Sequence, residues 1–138
     1  MFDDFGERVV LIRKNRPEWQ VGKANGVGGK VEPGELPMAA MVREFREETG
    51  VETTSFDWEN FAVMTGTDFH DFEIAFYRGY SSLFLASAKT KTDEAIEIWE
   101  TDAISINAMD PVPNLKWLVP MALTKNLHYA DLSYKEAA

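Results

Sequence analysis

The stretch that decides the fold is residues 29–51, which read GKVEPGELPMAAMVREFREETGV. Its middle part, 38–49, carries apolar residues at helical spacing and predicts an amphipathic helix. Pro37 suits the first turn of that helix, because no N–H donor is needed there, and Gly50 suits the left-handed residue just beyond its end. The sequence therefore predicts a helix with a defined start and a defined end.

The glutamates of this helix are concentrated near its C-terminal end. At about 100° per residue, Glu44, Glu47 and Glu48 share roughly 100° of arc beside an apolar stripe that includes Phe45. Arg43 lies one turn before Glu47, where the two side chains can pair. Charged helix faces are usually solvated, but three like charges repel one another and the helix dipole disfavours them at this end. Oxygen ligands without cysteine or histidine nearby point instead to a hard cation, Mg²⁺ or Mn²⁺.

The same residues carry a resemblance to a known family. Gly29, five residues, Glu35, seven residues and then residues 43–51 (REFREETGV) resemble the complete Nudix box, with Phe45 where an aliphatic residue is usual. The resemblance implies a hydrolase of nucleoside diphosphates linked to another moiety, working with Mg²⁺ or Mn²⁺. It also implies an α/β fold, the Nudix-type α/β/α sandwich around a mixed β-sheet.

Roles for individual side chains follow from the resemblance. It implies that the metal is held by glutamate carboxylates and one main-chain carbonyl, drawn from Glu44, Glu47, Glu48, Gly28 and Gly29. Arg43 is similar to the residue that orients a glutamate, and Glu35 to the glutamate that assists without being the main ligand. A later acid often completes the site. We expect Glu94 to be this further acid, and the alternative is that Glu94 is a solvated residue of a loop. The general base stays open among Glu44, Glu47 and Glu94.

Three basic residues on and after the first strand are candidate phosphate partners: Arg13, Lys14 and Arg16. A diphosphate is heavily anionic, so a carboxylate nest would repel it unless cations lay between them. The alternative for each of the three is a solvated basic strand end. The sequence therefore predicts a phosphate-binding region near residues 13–16 without deciding which side chain makes the contact.

Two asparagines are similar to base-contacting residues in one branch of the family. Asn25 and Asn114 match positions that contact the base in enzymes that remove oxidised purine nucleoside triphosphates (8-oxo-dGTP diphosphatase type). An amide suits this role because it can read the donor and acceptor edge of a purine. A turn residue for Asn25 and a helix N-cap for Asn114 are the alternatives. Trp117 is the tryptophan expected nearest the base.

The expected function is hydrolysis of a purine nucleoside triphosphate, oxidised or unmodified, to nucleoside monophosphate and pyrophosphate. A second hypothesis keeps the metal chemistry but replaces the substrate with ADP-ribose, a nucleotide sugar or a dinucleoside polyphosphate. A third is a non-catalytic nucleotide-sensing domain. The intact Arg43, Glu44 and Glu47 argue against the third, because a domain without catalysis has no need to keep them.

No repeat, low-complexity tract or linker divides the chain, so a single domain over residues 1–138 is expected. Strands are predicted at 8–14, 53–65, 70–80 and 95–101, and a second helix at 114–127. Nudix domains usually have a further strand before the one predicted at 8–14. Here little more than residues 1–6 precedes that strand, and these residues resemble the turn that would follow such a strand. We therefore expect the first strand to be missing or to lie upstream, and an unpaired sheet edge would then favour a homodimer.

The composition restricts the possible partners. The 138 residues include 23 Asp+Glu against 14 Lys+Arg, a formal net charge of -9, and no cysteine. This acidity argues against a nucleic acid polymer or an anionic membrane surface as partner, because both attract Lys and Arg. The lack of cysteine excludes disulfides and thiol nucleophiles. No apolar run is long enough to span a membrane, so we expect a cytoplasmic protein whose partner is a small-molecule nucleotide.

Overall fold

The structure, a computed structural model, describes residues 1–66 and 71–135. Its strands are β1 (Arg8–Arg13), β2 (Ala24–Asn25), β3 (Glu59–Gly66), β4 (Glu73–Arg78), β5 (Ala95–Glu100) and β6 (Ala130–Tyr134). Its helices are α1 (Pro37–Thr49), α2 (Ser82–Ser87), α3 (Ala103–Ala108) and α4 (Leu115–Leu123). Two short 3₁₀ turns, Glu18–Gln20 and Ser55–Asp57, precede β2 and β3.

The strands form two three-stranded sheets. In the first, ordered β2-β1-β5, the central strand β1 runs antiparallel to both neighbours. In the second, ordered β4-β3-β6, β3 runs antiparallel to β4 and parallel to β6. Arg13 on β1 is opposite Ala95 on β5. This register brings the residues that follow β1 beside those that precede β5, where Lys14 and Glu94 lie.

Phe2 connects the two sheets. It forms one antiparallel bridge to Val9 on β1 and one parallel bridge to Tyr80, just after β4. Its N–H donates to the Gly79 carbonyl at 2.8 Å, and its own carbonyl accepts from the Ser81 N–H at 2.9 Å. Before Arg8 the described chain thus forms isolated bridges and no strand, as expected.

Side chains of β1 point alternately into two apolar clusters. Val9 and Leu11 belong to the cluster that β1 shares with β3 and α4. Val10 belongs to a second cluster with residues of α1, in which the Phe45 and Trp58 rings meet edge to face at 5.0 Å. Alternation along a strand with both faces buried places apolar layers on both sides of the sheet. This arrangement confirms the predicted α/β sandwich.

Helix α1 has the predicted bounds and caps. Pro37 is its first residue, and Gly50 after its end has φ 74°, in the left-handed region that glycine favours. The Gly50 N–H donates to the Arg46 carbonyl at 2.8 Å and closes the last turn. Phe45 and Thr49 are buried, which confirms the predicted apolar face. The glutamates lie beside this buried face, at the candidate site.

The two predicted segments at 53–65 and 114–127 are wrong at one end each. The first begins as a strand only at Glu59, because Thr54 and Asp57 form a capping box around the intervening 3₁₀ turn. The second ends at Leu123. Near this end, the Ala122 carbonyl accepts hydrogen bonds from Arg78 and from the Tyr80 hydroxyl in place of a helical N–H.

The other boundaries agree more closely, and four short elements were missed, the first being the two-residue strand β2. The segment predicted at 70–80 contains β4 from Glu73, and residue 70 lies outside the described residues. Elements α2, α3 and β6 lie where nothing was predicted, because six residues or fewer carry too little periodicity to recognise. Among residues 1–66 and 71–135, no helix combines the length and the apolar character that crossing a membrane requires.

Candidate active site

Arg43 on α1 is the centre of the charged cluster. Its guanidinium donates to both carboxylate oxygens of Glu35, from Nε at 2.8 Å and from Nη2 at 3.0 Å. Nη2 also donates to the Lys30 carbonyl at 3.0 Å. The hydrogen bonds from Arg43 lower the pKa of Glu35 to about 2, and the same partners raise the pKa of Arg43. Glu35 is therefore a fixed anion that anchors the loop before α1.

The remaining donor group of Arg43 faces two more glutamates. Nη1 lies 2.7 Å from Glu44 Oε1 and 3.3 Å from Glu47 Oε2. The Arg43 and Glu44 side chains are 19% and 16% exposed, whereas that of Glu47 is 50% exposed. Arg43 therefore holds Glu44 tightly and Glu47 loosely, which agrees with the predicted role of orienting a glutamate.

The glycine pair lies directly against two of the glutamates. A β-carbon at Gly29 would collide with the Glu44 carboxylate, so a larger residue there would displace that carboxylate. The Gly28 N–H donates to Glu48 Oε2 at 3.2 Å. The sequence places Gly28 and Gly29 well before the helix in the chain, and the structure brings both back to it. The Gly-Gly loop and the glutamates thus form one surface.

Glu94 belongs to the same cluster and is buried. Its side chain is 5% exposed, accepts from Lys14 Nζ at 2.6 Å and accepts from the Asn15 N–H at 2.8 Å. Burial raises its pKa, but the hydrogen bonds from Lys14 and Asn15 outweigh burial and hold the pKa below its usual value. The alternative interpretation of Glu94 as a solvated loop acid is therefore wrong.

Glu48 lies at the point where these charges meet. Burial is the largest cause that raises its pKa to about 7, and the charges of Glu44 and Glu94 raise it further. The Gly28 N–H and the Lys14 charge act in the opposite direction without cancelling the effect. A carboxylate that is destabilised by burial and by its neighbours is stabilised by a nearby cation.

The donor chemistry fits a divalent cation, although the carboxylates are not grouped around a common point. Within residues 1–66 and 71–135, no three His, Asp or Glu side chains are arranged to hold a metal ion. The reason is that Arg43 draws Glu44 and Glu47 toward itself, while Glu48 faces the Gly28 N–H. All of these donors are hard oxygens, the type that Mg²⁺ and Mn²⁺ prefer.

Each of the three predicted phosphate partners is paired with a carboxylate. Arg13 contacts Glu97 on β5, and Lys14 contacts the buried Glu94. Arg16 contacts Asp93 at 2.6 Å, in a pair whose side chains are both about 60% exposed. An exposed pair of this kind is weak and opens readily. Arg16 is thus the cation of the three with the most freedom to change partner.

A cavity of about 1120 Å³ extends from the glycine pair between the sheets, and both predicted asparagines line it. The Asn25 amide is held at both ends, since its Nδ2 donates to Gln20 Oε1 at 3.1 Å and its Oδ1 accepts from the Gly26 N–H at 2.8 Å. Asn114 Oδ1 is buried and has no hydrogen-bond partner among residues 1–66 and 71–135. Trp117 does not line this cavity.

The observed geometry agrees with the comparison to known protein families. A NUDIX domain model matches residues 1–120. The chain belongs to the Nudix family. The solved crystal structure of the mutator MutT protein from Bacillus halodurans resembles this Nudix domain, with a TM-score of 0.59 and 19% identity over 94% of this chain and 83% of that one. A likeness at that identity supports the α/β fold alone.

A known protein matches a shorter part of this Nudix domain. The CTP pyrophosphohydrolase of Escherichia coli (strain K12) is 43% identical to it over 47 residues. Those residues are 34% of this chain and 35% of that protein, so the match spans about a third of the relative's length.

Two residues of the candidate site were not predicted from the sequence. Gln20 fixes the Asn25 amide and lines the cavity, and Asn15 binds Glu94 through its N–H. Gln20 lies in an irregular segment without a motif, so no pattern pointed to it. For Asn15 the one available signal was its position directly after Lys14, at the end of β1. A backbone N–H at that position lies close to the segment that leads into the strand paired with β1.

Proposed function

We propose that this Nudix domain is a Mg²⁺- or Mn²⁺-dependent pyrophosphohydrolase that cleaves a nucleoside triphosphate to nucleoside monophosphate and pyrophosphate. The observation that carries the proposal is the cluster of Glu35, Glu44 and Glu47 around Arg43, next to the glycine pair that lines the cavity. A domain that only senses a ligand would not need four charges held in this way.

The residues proposed to hold the metal are those of the charged cluster: Glu44, Glu47, Glu48, Glu94 and a main-chain carbonyl of Gly28 or Gly29. When bound, the metal would neutralise phosphate oxygens and make a water molecule a better nucleophile. The exposed side chain of Glu47 and its single long contact with Arg43 leave it free to turn toward a cation. Arg43 keeps its two contacts to Glu35 during that movement and so preserves the shape of the site.

The proton of the attacking water must be taken up by one of the glutamates. Glu44, Glu47 and Glu94 are the candidates. Lys14 and the Asn15 N–H hold the pKa of Glu94 below its usual value, which makes it a weaker base than an unperturbed glutamate. Arg16, whose ion pair with Asp93 is exposed, is proposed to contact the departing phosphates, together with Lys14.

The nucleoside is proposed to enter the cavity beside Asn25 and Asn114. The buried Oδ1 of Asn114 accepts no hydrogen bond within the described part of the chain, so a ligand N–H would satisfy it. A purine edge supplies such a donor, and an oxidised purine supplies one more. A cytosine amino group is also a donor, and the likeness to a CTP pyrophosphohydrolase favours cytidine triphosphate as a second candidate.

A nucleotide panel tests the proposal directly. The protein is incubated with Mg²⁺ or Mn²⁺ and with dGTP, 8-oxo-dGTP, CTP, ADP-ribose, a nucleotide sugar or a dinucleoside polyphosphate; the products are separated by chromatography, and binding of each compound is measured by calorimetry. Release of pyrophosphate from a triphosphate is the expected result, and the preferred triphosphate identifies the base. Turnover confined to ADP-ribose, a nucleotide sugar or a dinucleoside polyphosphate would replace the triphosphate proposal. Binding without turnover with either metal would indicate a sensing domain.

The variant Glu47→Gln tests the metal assignment. Loss of this carboxylate should lower kcat by about a hundredfold or more with the fold intact, because a charge that acts in the transition state is removed. Glu52→Gln, at an exposed acid beyond the end of α1, is the matched control and should keep normal activity. Near-normal turnover by Glu47→Gln would contradict the assignment.

A further inference from the structure

Arg13 contacts three separate segments of the chain. Its Nε and Nη2 both lie 2.7 Å from Glu97 Oε2 on β5. Its Nη1 donates to the Gly22 carbonyl at 3.0 Å and to the Met109 carbonyl at 2.7 Å. The guanidinium also lies 6.0 Å from the centre of the Trp99 ring, within the range of a cation–π contact.

The two carbonyls belong to segments that pair with each other. The Ala24 N–H donates to the Asp110 carbonyl at 3.0 Å, and the Val112 N–H donates to the Ala24 carbonyl at 2.9 Å. Each segment then leads into a cavity-lining amide, Asn25 from the first and Asn114 from the second. Arg13 itself does not line the cavity. Its guanidinium therefore contacts the two segments that carry the asparagines without lining the cavity itself.

A planar guanidinium holds its hydrogen-bond partners in one fixed geometry, unlike a flexible ammonium group. Because one nitrogen of Arg13 bridges the Gly22 and Met109 carbonyls, the distance between the two segments is set by this side chain as well as by the Ala24 bridge. Glu97 fixes the guanidinium from the other side.

We propose that Arg13 is a positioning residue that sets the spacing between Asn25 and Asn114, and so the fit of the nucleoside. The proposal rests on the proposed function for the identity of the ligand. It assigns Arg13 a role different from the phosphate contact that its sequence position suggests, because the donors that would bind phosphate already contact Glu97, Gly22 and Met109.

Hydrogen exchange without any ligand is the first test. Replacing Arg13 by methionine keeps the length of the side chain and removes its donors. The amides of Ala24 and Val112 should then exchange about tenfold faster, because the pairing of the two segments loses its support. Arg13→Lys keeps one cation for Glu97 but cannot bridge both carbonyls, so it should fold normally and show a smaller increase. Arg16→Met is the matched control and should leave both amides protected.

Separate binding of the two halves of the ligand is the second test. Guanosine and cytidine probe the nucleoside end, and pyrophosphate with Mn²⁺ probes the phosphate end, both followed by fluorescence of the exposed Trp19. Arg13→Met should weaken nucleoside binding about tenfold and Arg13→Lys should weaken it less, and both should leave pyrophosphate binding unchanged. Arg16→Met should show the opposite pattern.

The outcomes separate this proposal from the proposed function. Unchanged exchange at Ala24 and Val112 in both Arg13 variants would overturn the positioning role, as would weaker pyrophosphate binding with normal nucleoside binding. If the wild-type protein binds neither nucleoside, the proposed function is at fault, and the exchange result alone then decides the role of Arg13. If Arg13→Met does not fold, Arg13→Lys provides the same comparison.

Discussion

At the scale of single residues, one arginine organises the site by distributing its donors among three acids. Glu35 takes two of the donors of Arg43, Glu44 takes one at 2.7 Å, and Glu47 shares the same nitrogen at 3.3 Å. The contacts are shorter for the two glutamates that are more buried. A buried charge gains more from a charged partner than an exposed charge does. Glu47 is therefore the acid that exchanges partner at the lowest cost.

Asp3 provides a prediction about stability and pH. It is 2% exposed and accepts from the N–H of Glu7 at 2.8 Å and from Arg8 Nε at 3.1 Å. Burial raises its pKa, but these hydrogen bonds outweigh burial and hold it below the usual 3.8. The contribution to stability is therefore complete above pH 3.8 and is lost as the pH falls through the lower folded pKa.

We expect Asp3→Asn to lower the free energy of unfolding by about 2 kcal/mol at pH 7, where the charged hydrogen bonds are lost. Below the folded pKa the difference between variant and wild type should shrink, because the wild-type carboxyl is then also neutral. Urea unfolding at pH 7 and near pH 2 measures the difference. Glu7→Gln, at a neighbouring exposed acid, should change little at either pH. A penalty independent of pH would contradict this account.

At the scale of elements, α1 carries most of the candidate site, and both of its ends are fixed. Pro37 starts the helix and Gly50 ends it, and between them the apolar residue Phe45 packs into the core. The acids lie near the C-terminal end, which the helix dipole disfavours. Arg43 and Arg46 in the same turns offset that effect. The helix is thus stable enough to tolerate a cluster of like charges.

Gly50→Ala should weaken this end of the helix. A residue with φ 74° is strained unless it is glycine, and an added β-carbon would also press on the Lys91 side chain. We expect a loss of about 1 kcal/mol, seen as a fall in Tm of about 3 °C. Gly26→Ala is the control, because Gly26 has open space around it and no positive φ. Equal melting temperatures for the two variants would exclude the proposed strain.

At the scale of the whole molecule, the site joins elements that are distant in the chain. The glycine pair comes from the loop before α1, Lys14 from the end of β1, and Glu94 from the segment before β5. The pairing of β1 with β5 brings Lys14 and Glu94 into contact across 80 positions of sequence. A ligand held by these groups must therefore stabilise the fold as a whole.

Thermal unfolding with and without Mn²⁺ tests that coupling. At a Mn²⁺ concentration of about a hundred times Kd, the wild-type protein should gain about 2.7 kcal/mol and a clear rise in Tm. Glu48→Gln removes a proposed ligand and should lose most of that gain, whereas the exposed Glu52→Gln should keep it. The proposed metal site would be excluded by equal stabilisation of the two variants, or by none in the wild type.

The sequence by itself determined α1, its caps and its carboxylate face, because these depend on spacing along one helix. It also placed Gly28 and Gly29 near the glutamates, through the resemblance to the Nudix box. It left Glu94 undecided between a ligand and a solvated acid, and it did not distinguish Arg13 from Arg16. The surroundings of Glu94, Arg13 and Arg16 depend on which side of the paired strands each side chain faces.

Only the tertiary structure decided how the distant groups meet. The contact of Arg13 with the Met109 carbonyl joins residues 96 positions apart, and Phe2 links both sheets through two single bridges. Such contacts follow from strand register, which is set by the packing of the whole sheet and not by local sequence. The carboxylate cluster of this protein was therefore readable from one helix, whereas the geometry of the proposed nucleoside end required the fold.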